Sequence, residues 1–266
     1  MKDQRKLKVV VGQVNPIVGD IEFNCQHISK VIEDNPGADL IVFPEMALVG
    51  YPLMDHILDP IIREKNKEAL ESLTQLETES TIILGTFTEP PELEEKFQCF
   101  YNSAVVIENH EIIHVENKRL IPNYDVFDER RYFSFDDKFQ PVQIKGVNVG
   151  VLICEDIWDE SYDIKVAEEL VSNGAEFLVV INASPYHIDK FNLRKDLLKR
   201  KSSKLSTPIL YVNMVGGLDE ITYDGQSFLT NRSGEISFRA KAFEEDFPWV
   251  DIHIDREIIS SEEEFS

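Results

Sequence analysis

A cysteine, a glutamate and a lysine, each at the end of an apolar run, have the clearest chemical possibilities in this chain. Cys154 closes Val149-Gly150-Val151-Leu152-Ile153 and is followed by Glu155-Asp156. A strand that stops there would present its thiol at a sheet edge, where the next backbone N–H can face an oxyanion. The competing reading is a buried core cysteine, the commoner fate of a free thiol, and spacing alone favours it. Glu45 follows Leu40-Ile41-Val42-Phe43 and Pro44. Proline after a strand forces a turn, so the carboxylate would sit at the C-terminal end of the strand, where open α/β sheets place their sites. Flanked by Phe43, Met46 and Leu48, it would have the half-buried setting that suits a general base. Taken alone, a loop glutamate is the plainer reading. Lys118 ends Ile112-Ile113-His114-Val115-Glu116-Asn117. A surface lysine is the default there, unless a thiol attacking an amide needs an ammonium beside its oxyanion. No histidine holds a comparable strand-end position; His187 reads as a local hydrogen-bonding residue.

Short β-branched runs must position these groups. They predict strands over Leu7 to Val14, Leu40 to Phe43, Thr81 to Thr86, Ser103 to Ile107, Val147 to Ile153, Phe177 to Ile181 and Ile209 to Val212. Helical spacing is found over Ile21 to Asp34, which stops at Asn35-Pro36-Gly37, and over Pro60 to Leu76, where proline suits the first turn. Ser161 to Ser172 ends at Asn173-Gly174, a left-handed cap, and Asp189 to Leu205 is rich in lysine and arginine. The alternation predicts an α/β protein with mixed sheets. Tyr223 to Ile254 reads as strand-rich, with turns at Asp224-Gly225 and Ser233-Gly234. The organisation expected is one domain over residues 1–254, with 255–266 an acidic tail or the start of a linker.

Composition narrows the function classes. The 266 residues are 42% apolar and carry a formal net charge of −22. Such a charge repels phosphates, so neither nucleic acid nor an anionic membrane is an expected partner. Cys25, Cys99 and Cys154 are odd in number and form no CxxC pair, and no signal peptide or membrane-length apolar run is present, so a reducing cytoplasm is the expected setting. The six histidines show no close ligand spacing, and no metal is expected.

Three segments, Val42-Phe43-Pro44-Glu45, Lys118-Arg119-Leu120-Ile121-Pro122-Asn123-Tyr124 and Ile153-Cys154-Glu155-Asp156, resemble in kind and order the Glu, Lys and Cys motifs of the nitrilase superfamily of carbon–nitrogen hydrolases. Further blocks are similar to the glutaminase domains of glutamine-dependent NAD synthetases. They include Met46 to Pro52, Val126 to Phe133, Ile157-Trp158, Asn182 to His187, Tyr211 to Gly217 and Asp224 to Phe228. The resemblance runs from Gly12 to about Phe228. It implies an α-β-β-α sandwich, association through the sheet-flanking helices into four-layer assemblies, and a homo-oligomer. It makes Glu45 the general base, Lys118 the oxyanion stabiliser and Cys154 the nucleophile of a glutamine amidohydrolase. Tyr124, Ser184 and Lys190 would bind glutamine, with lysine standing where other members have arginine. Glu129 would be a second acid that holds Lys118 or meets the substrate ammonium, and Tyr51 and Phe127 would shape the walls. The amidase reaction would need no cofactor. The resembling enzymes continue into an ATP-dependent synthetase domain with an SGGxDS loop, which this sequence lacks, so a synthetase domain or subunit is the expected partner. The alternatives are a stand-alone ω-amidase-like hydrolase of another small amide, and a non-catalytic interaction module on the same scaffold.

Overall fold

The computed structural model describes residues 5–90, 100–124, 128–135 and 138–254. The strands in chain order divide between two sheets and a hairpin. The first sheet takes β1 (Lys6–Val11), β2 (Leu40–Val42), β3 (Thr81–Thr88), β4 (Tyr101–Glu108) and β5 (Glu111–Asn117). The second takes β6 (Val142–Ile144), β7 (Val147–Ile153), β8 (Phe177–Asn182) and β9 (Ile209–Asn213). The hairpin is β10 (Val215–Leu218) with β11 (Ile221–Asp224). Then β12 (Phe228–Thr230) and β13 (Ile236–Arg239) return to the second sheet, and β14 (Trp249–His253) to the first. The spatial orders are β14-β1-β2-β3-β4-β5 and β13-β12-β9-β8-β7-β6. Each sheet has a parallel centre, β1-β2-β3 or β7-β8-β9, and antiparallel flanks.

Alternation along the strands builds the layers. Val9, Val11, Val42, Ile83 and Val106 face Val149, Val151, Ile153, Val179 and Val212 in a dry layer between the sheets. The opposite faces carry Val10, Ile41, Ile82 and Leu84 on one side, and Leu152, Leu178, Val180 and Tyr211 on the other. Helices α1 (Ile21–Glu33) and α2 (Pro60–Thr74) cover the first outer face through Ile28, Val31, Ile32, Leu70 and Leu73. Helices α3 (Val166–Ser172) and α4 (Lys190–Leu205) cover the second through Val166, Leu170, Leu197 and Leu198. The result is an α-β-β-α sandwich whose four layers all come from one chain; no second copy is needed to complete them.

Local chemistry sets the helix boundaries. Asp20 caps α1 by accepting from Phe23 N–H at 3.2 Å, and Asp59 caps α2 by accepting from Ile61 N–H at 2.8 Å, with Pro60 in the first turn. The helix expected from Ser161 begins only at Val166. Lys165 Nζ donates to the carbonyls of Asp159 at 2.7 Å and Glu160 at 3.2 Å, and also to that of Tyr162, which holds this stretch in a 3₁₀ turn (Asp159–Ser161) and a bend. The strand expected to reach Val14 ends at Val11. Beyond it, the side chain of Gln13 turns to the carbonyls of Lys241 and Glu244. Among the described residues no helix is long and apolar enough to cross a membrane. Cys99, Phe127 and the acidic segment 255–266 lie outside the described residues.

Candidate active site

The C-terminal ends of the strands converge on one edge of the sandwich. Glu45 follows β2, Lys118 follows β5, Cys154 follows β7, and Ala183-Ser184 follow β8. Glu45 is 1% exposed and fully engaged: Oε1 accepts from Asn102 Nδ2 at 2.7 Å and from Lys118 Nζ at 2.8 Å, and Oε2 accepts from Ala183 N–H at 2.7 Å. The last bond joins a loop of the first sheet to a strand end of the second. Lys118, wholly buried, also donates to Glu129 Oε1 at 2.8 Å, and that same oxygen accepts from Tyr51 at 2.9 Å. One ammonium is thus held between two carboxylates. Burial alone would lower the Lys118 pKa, but Glu129 and Glu45 outweigh it and hold it well above the usual lysine value. Burial pushes Glu129 up to about 7, with Lys118 opposing and Glu45 reinforcing the rise.

Cys154 opens a short 3₁₀ turn (Cys154–Ile157) with φ of 45°, a left-handed conformation that costs an L residue about 1–2 kcal/mol. Three hydrogen bonds to one carboxylate hold the turn in place. Asp156 Oδ1 accepts from the backbone N–H of Arg119 at 3.0 Å and of Leu120 at 2.8 Å, and Oδ2 accepts from Ile153 N–H at 3.1 Å. The Asp156 side chain therefore ties the Cys154 turn to the residues that follow Lys118. Met46, next to Glu45, is left-handed as well, with φ of 52°. Burial, followed by the charge of Glu45, pushes the Cys154 thiol well above its ordinary value. Glu45, Lys118 and Glu129 together carry one net negative charge when ionised. A thiolate would add a second, so the proton leaves sulfur only if a neighbouring carboxylate takes it.

The thiol lies at the base of a cleft of about 350 Å³ lined by Tyr124, Cys154, Glu155, Trp158, Tyr162, Ser184 and Lys190. Tyr124 and Tyr162 donate to the two oxygens of Glu155, at 2.8 and 2.9 Å. Lys190, the first residue of α4, sits 4.7 Å from the centre of the Trp158 ring. Burial and then Arg194 lower its pKa.

A carbon–nitrogen hydrolase family model matches residues 8–260. The chain belongs to the carbon–nitrogen hydrolase family. Among its curated relatives, the glutamine-dependent NAD(+) synthetase of Acinetobacter baylyi is 34% identical over 254 residues, which are 95% of this chain and 45% of the relative. That of Thermotoga maritima is 37% identical over 262 residues, 96% of this chain and 43% of the relative. The chain thus spans less than half the length of these relatives. The glutamine-dependent NAD+ synthetase of Acinetobacter baumannii, solved with ADP, superposes with a TM-score of 0.90 at 33% identity over 98% of this chain and 48% of that one. A carbon-nitrogen hydrolase of Helicobacter pylori superposes at 0.79 with 22% identity, covering 95% of this chain and 90% of its own, a likeness of fold.

The fold brings Glu45, Lys118, Glu129 and Tyr51 into one hydrogen-bonded cluster, and Cys154, Tyr124, Ser184 and Lys190 into one cleft. Tyr51 was expected at a wall; its hydroxyl instead anchors Glu129 from inside. Glu129 contacts Lys118, the first of the two roles expected of it. His187 bonds the carbonyl of Ile188 at 2.8 Å, a local contact. Sequence reasoning missed Asn102, Asp156 and Arg194. Arg194 is fully buried on α4. It donates to Asp224 Oδ1 and to the Ser184 carbonyl, both at 2.7 Å, and so fixes the strand end that carries Ser184. A helix read as basic gave no hint that two of its cations, Arg194 and Lys201, are buried.

Proposed function

We propose that this chain hydrolyses the side-chain amide of glutamine to glutamate and ammonia, and that the ammonia serves NAD synthesis in a synthetase domain or subunit. The observation that carries the reading is the placement of a buried thiol, Cys154, beside a lysine held between Glu45 and Glu129, at the base of a cleft of amino-acid size. The name that these curated relatives share, glutamine-dependent NAD(+) synthetase, supports glutamine as the substrate and NAD synthesis as the use of the ammonia.

In this mechanism Glu45 takes the thiol proton as sulfur attacks the amide carbon. Lys118 and the backbone N–H of Glu155 stabilise the oxyanion. The C–N bond then breaks, and the nitrogen leaves as ammonia with the proton returned by Glu45. Water attacks the thioester while Glu45 takes one of its protons. The C–S bond breaks and the thiolate recovers that proton, which leaves glutamate and the starting enzyme. One carboxylate serves twice because the acid and base roles alternate. Lys190 meets the α-carboxylate, and Tyr124 and Ser184 orient the amino-acid end. The reaction uses no cofactor; ATP belongs to the synthetase step.

The test compares ammonia release from glutamine, asparagine, α-ketoglutaramate and simple nitriles, with Cys154→Ala and Cys25→Ala beside the wild type. Glutamine is the expected best substrate. Cys154→Ala should abolish turnover, and a glutamine-like diazoketone should add its mass to Cys154. Preference for α-ketoglutaramate would replace the reading with an ω-amidase. Absence of both turnover and adduct would leave a non-catalytic module.

A further inference from the structure

Among the buried polar groups near the centre, the Tyr223 hydroxyl is hydrogen-bonded to no protein atom. Tyr223 lies on β11, opposite Gly216 of β10. The hairpin is fastened to the site's own strand ends. Thr222 accepts from Tyr186 N–H at 2.7 Å, and Gly225 N–H donates to Met214 at 3.0 Å. The Tyr223 side chain is 1% exposed and belongs to the same packed cluster as Met46, Tyr51, Ala183 and Met214, the residues around Glu45. Its hydroxyl has no hydrogen-bond partner, and neither does Oε2 of Glu129. It lies within electrostatic reach of Glu45, Cys154 and Glu129, and burial, followed by Glu45, pushes its pKa up, so the phenol keeps its proton. The cleft is lined by other residues, so Tyr223 approaches the centre from the buried side.

An unsatisfied buried hydroxyl costs about 1–3 kcal/mol, and phenylalanine would fill the same space without that cost. A hydroxyl in this position has a use if its partner comes and goes with the reaction. We infer that Tyr223 Oη is a positioning group for the small polar molecule exchanged at the acyl carbon, first the departing ammonia and then the attacking water. The inference rests on the glutaminase reading. Water enters at the position ammonia leaves, because both are in line with the carboxylate of Glu45. A hydroxyl suits both visitors: it accepts from an N–H of the departing amine and donates to the spare lone pair of the water. The proton passed in each half-reaction remains that of Glu45, and Tyr223 gives up none.

The experiment is steady-state glutamine hydrolysis by the wild type and Tyr223→Phe, with hydroxylamine as a competing nucleophile and thermal unfolding of both proteins. The expected result for Tyr223→Phe is a fall in kcat of about tenfold, the worth of one well-placed hydrogen bond. KM for glutamine should be nearly unchanged, the partition of the thioester should move from glutamate toward the hydroxamate, and the unfolding midpoint should be no lower than that of the wild type. A wild-type kcat and partition ratio in Tyr223→Phe would overturn the inference and leave the glutaminase reading standing. So would a lowered midpoint with an unchanged partition, the mark of a packing role. A wild type that releases no ammonia from glutamine would remove both.

Discussion

At the scale of single residues, the two lysines of the site have different work to do. Lys118 separates two buried carboxylates, so Lys118→Ala should cost about 3–5 kcal/mol of stability in urea unfolding, besides slowing the chemical step. Lys190 lines the cleft and stacks on Trp158, so Lys190→Ala should raise KM for glutamine and leave kcat and stability close to wild type in steady-state assays. Asp156 gives a pH signature. Burial lifts it to about 6 from an ordinary 3.8, so between those values the folded chain binds a proton that the unfolded chain has released. Its contribution to stability is full below about pH 4 and is lost as pH rises through about 6. Asp156→Asn keeps an acceptor for Arg119 and Leu120 but turns an N–H toward that of Ile153, which costs about 1–3 kcal/mol. Unfolding measured from pH 4 to pH 7 should show the gap between wild type and variant narrowing as pH rises. Glu45, Lys118 and Cys154 stood out because each ends an apolar run, but spacing alone favoured a plainer reading of each, and only the family resemblance joined the three into one candidate site. Asn102 and Tyr223 did not stand out. A polar residue inside a strand looks the same in sequence whether it holds a carboxylate or faces solvent.

At the scale of elements, two turns carry the geometry. The Cys154 turn needs a left-handed residue, so Cys154→Gly should be at least as stable as Cys154→Ala. That reverses the usual order, in which glycine is the worse by about 0.5–1 kcal/mol; both inactive variants can be compared by thermal unfolding. The Glu45 turn is pressed against β3. A methyl group on Gly85 would come within 2.2 Å of the Pro44 carbonyl and 2.6 Å of Glu45 Cα, both of them backbone. Gly85→Ala should therefore cost about 1–3 kcal/mol and, by shifting Glu45, slow turnover by about a hundredfold. Most strands could be read from β-branched runs, and α1 and α2 from their caps and apolar spacing. For α3 the end at Asn173-Gly174 was read but the start was placed at Ser161 instead of Val166, because the contacts of Lys165 with three upstream carbonyls leave no periodicity. The end of β1 was placed too late because the apolar run continues to Val14, while past Val11 only Gln13 pairs on, in a single bridge to Asp246.

At the scale of the whole molecule, the proposed glutaminase reading implies a synthetase that consumes the ammonia. Glutamate release by this chain should rise by about five- to a hundredfold when a synthetase with its ATP and acid substrate is added. An unchanged rate would make the chain self-sufficient. The pairing of β14 with β1 has a mechanical consequence. Lys6 lies opposite His253, and Ile254 N–H donates to the Arg5 carbonyl at 3.0 Å, so the chain enters and leaves the first sheet side by side. Tension applied between residues 5 and 254 would act across this ladder and open its hydrogen bonds one after another, whereas strands pulled lengthwise resist with all their bonds at once. In an optical trap, the protein should yield first by peeling β14 from β1 at low force, with the layer between the sheets failing later and separately.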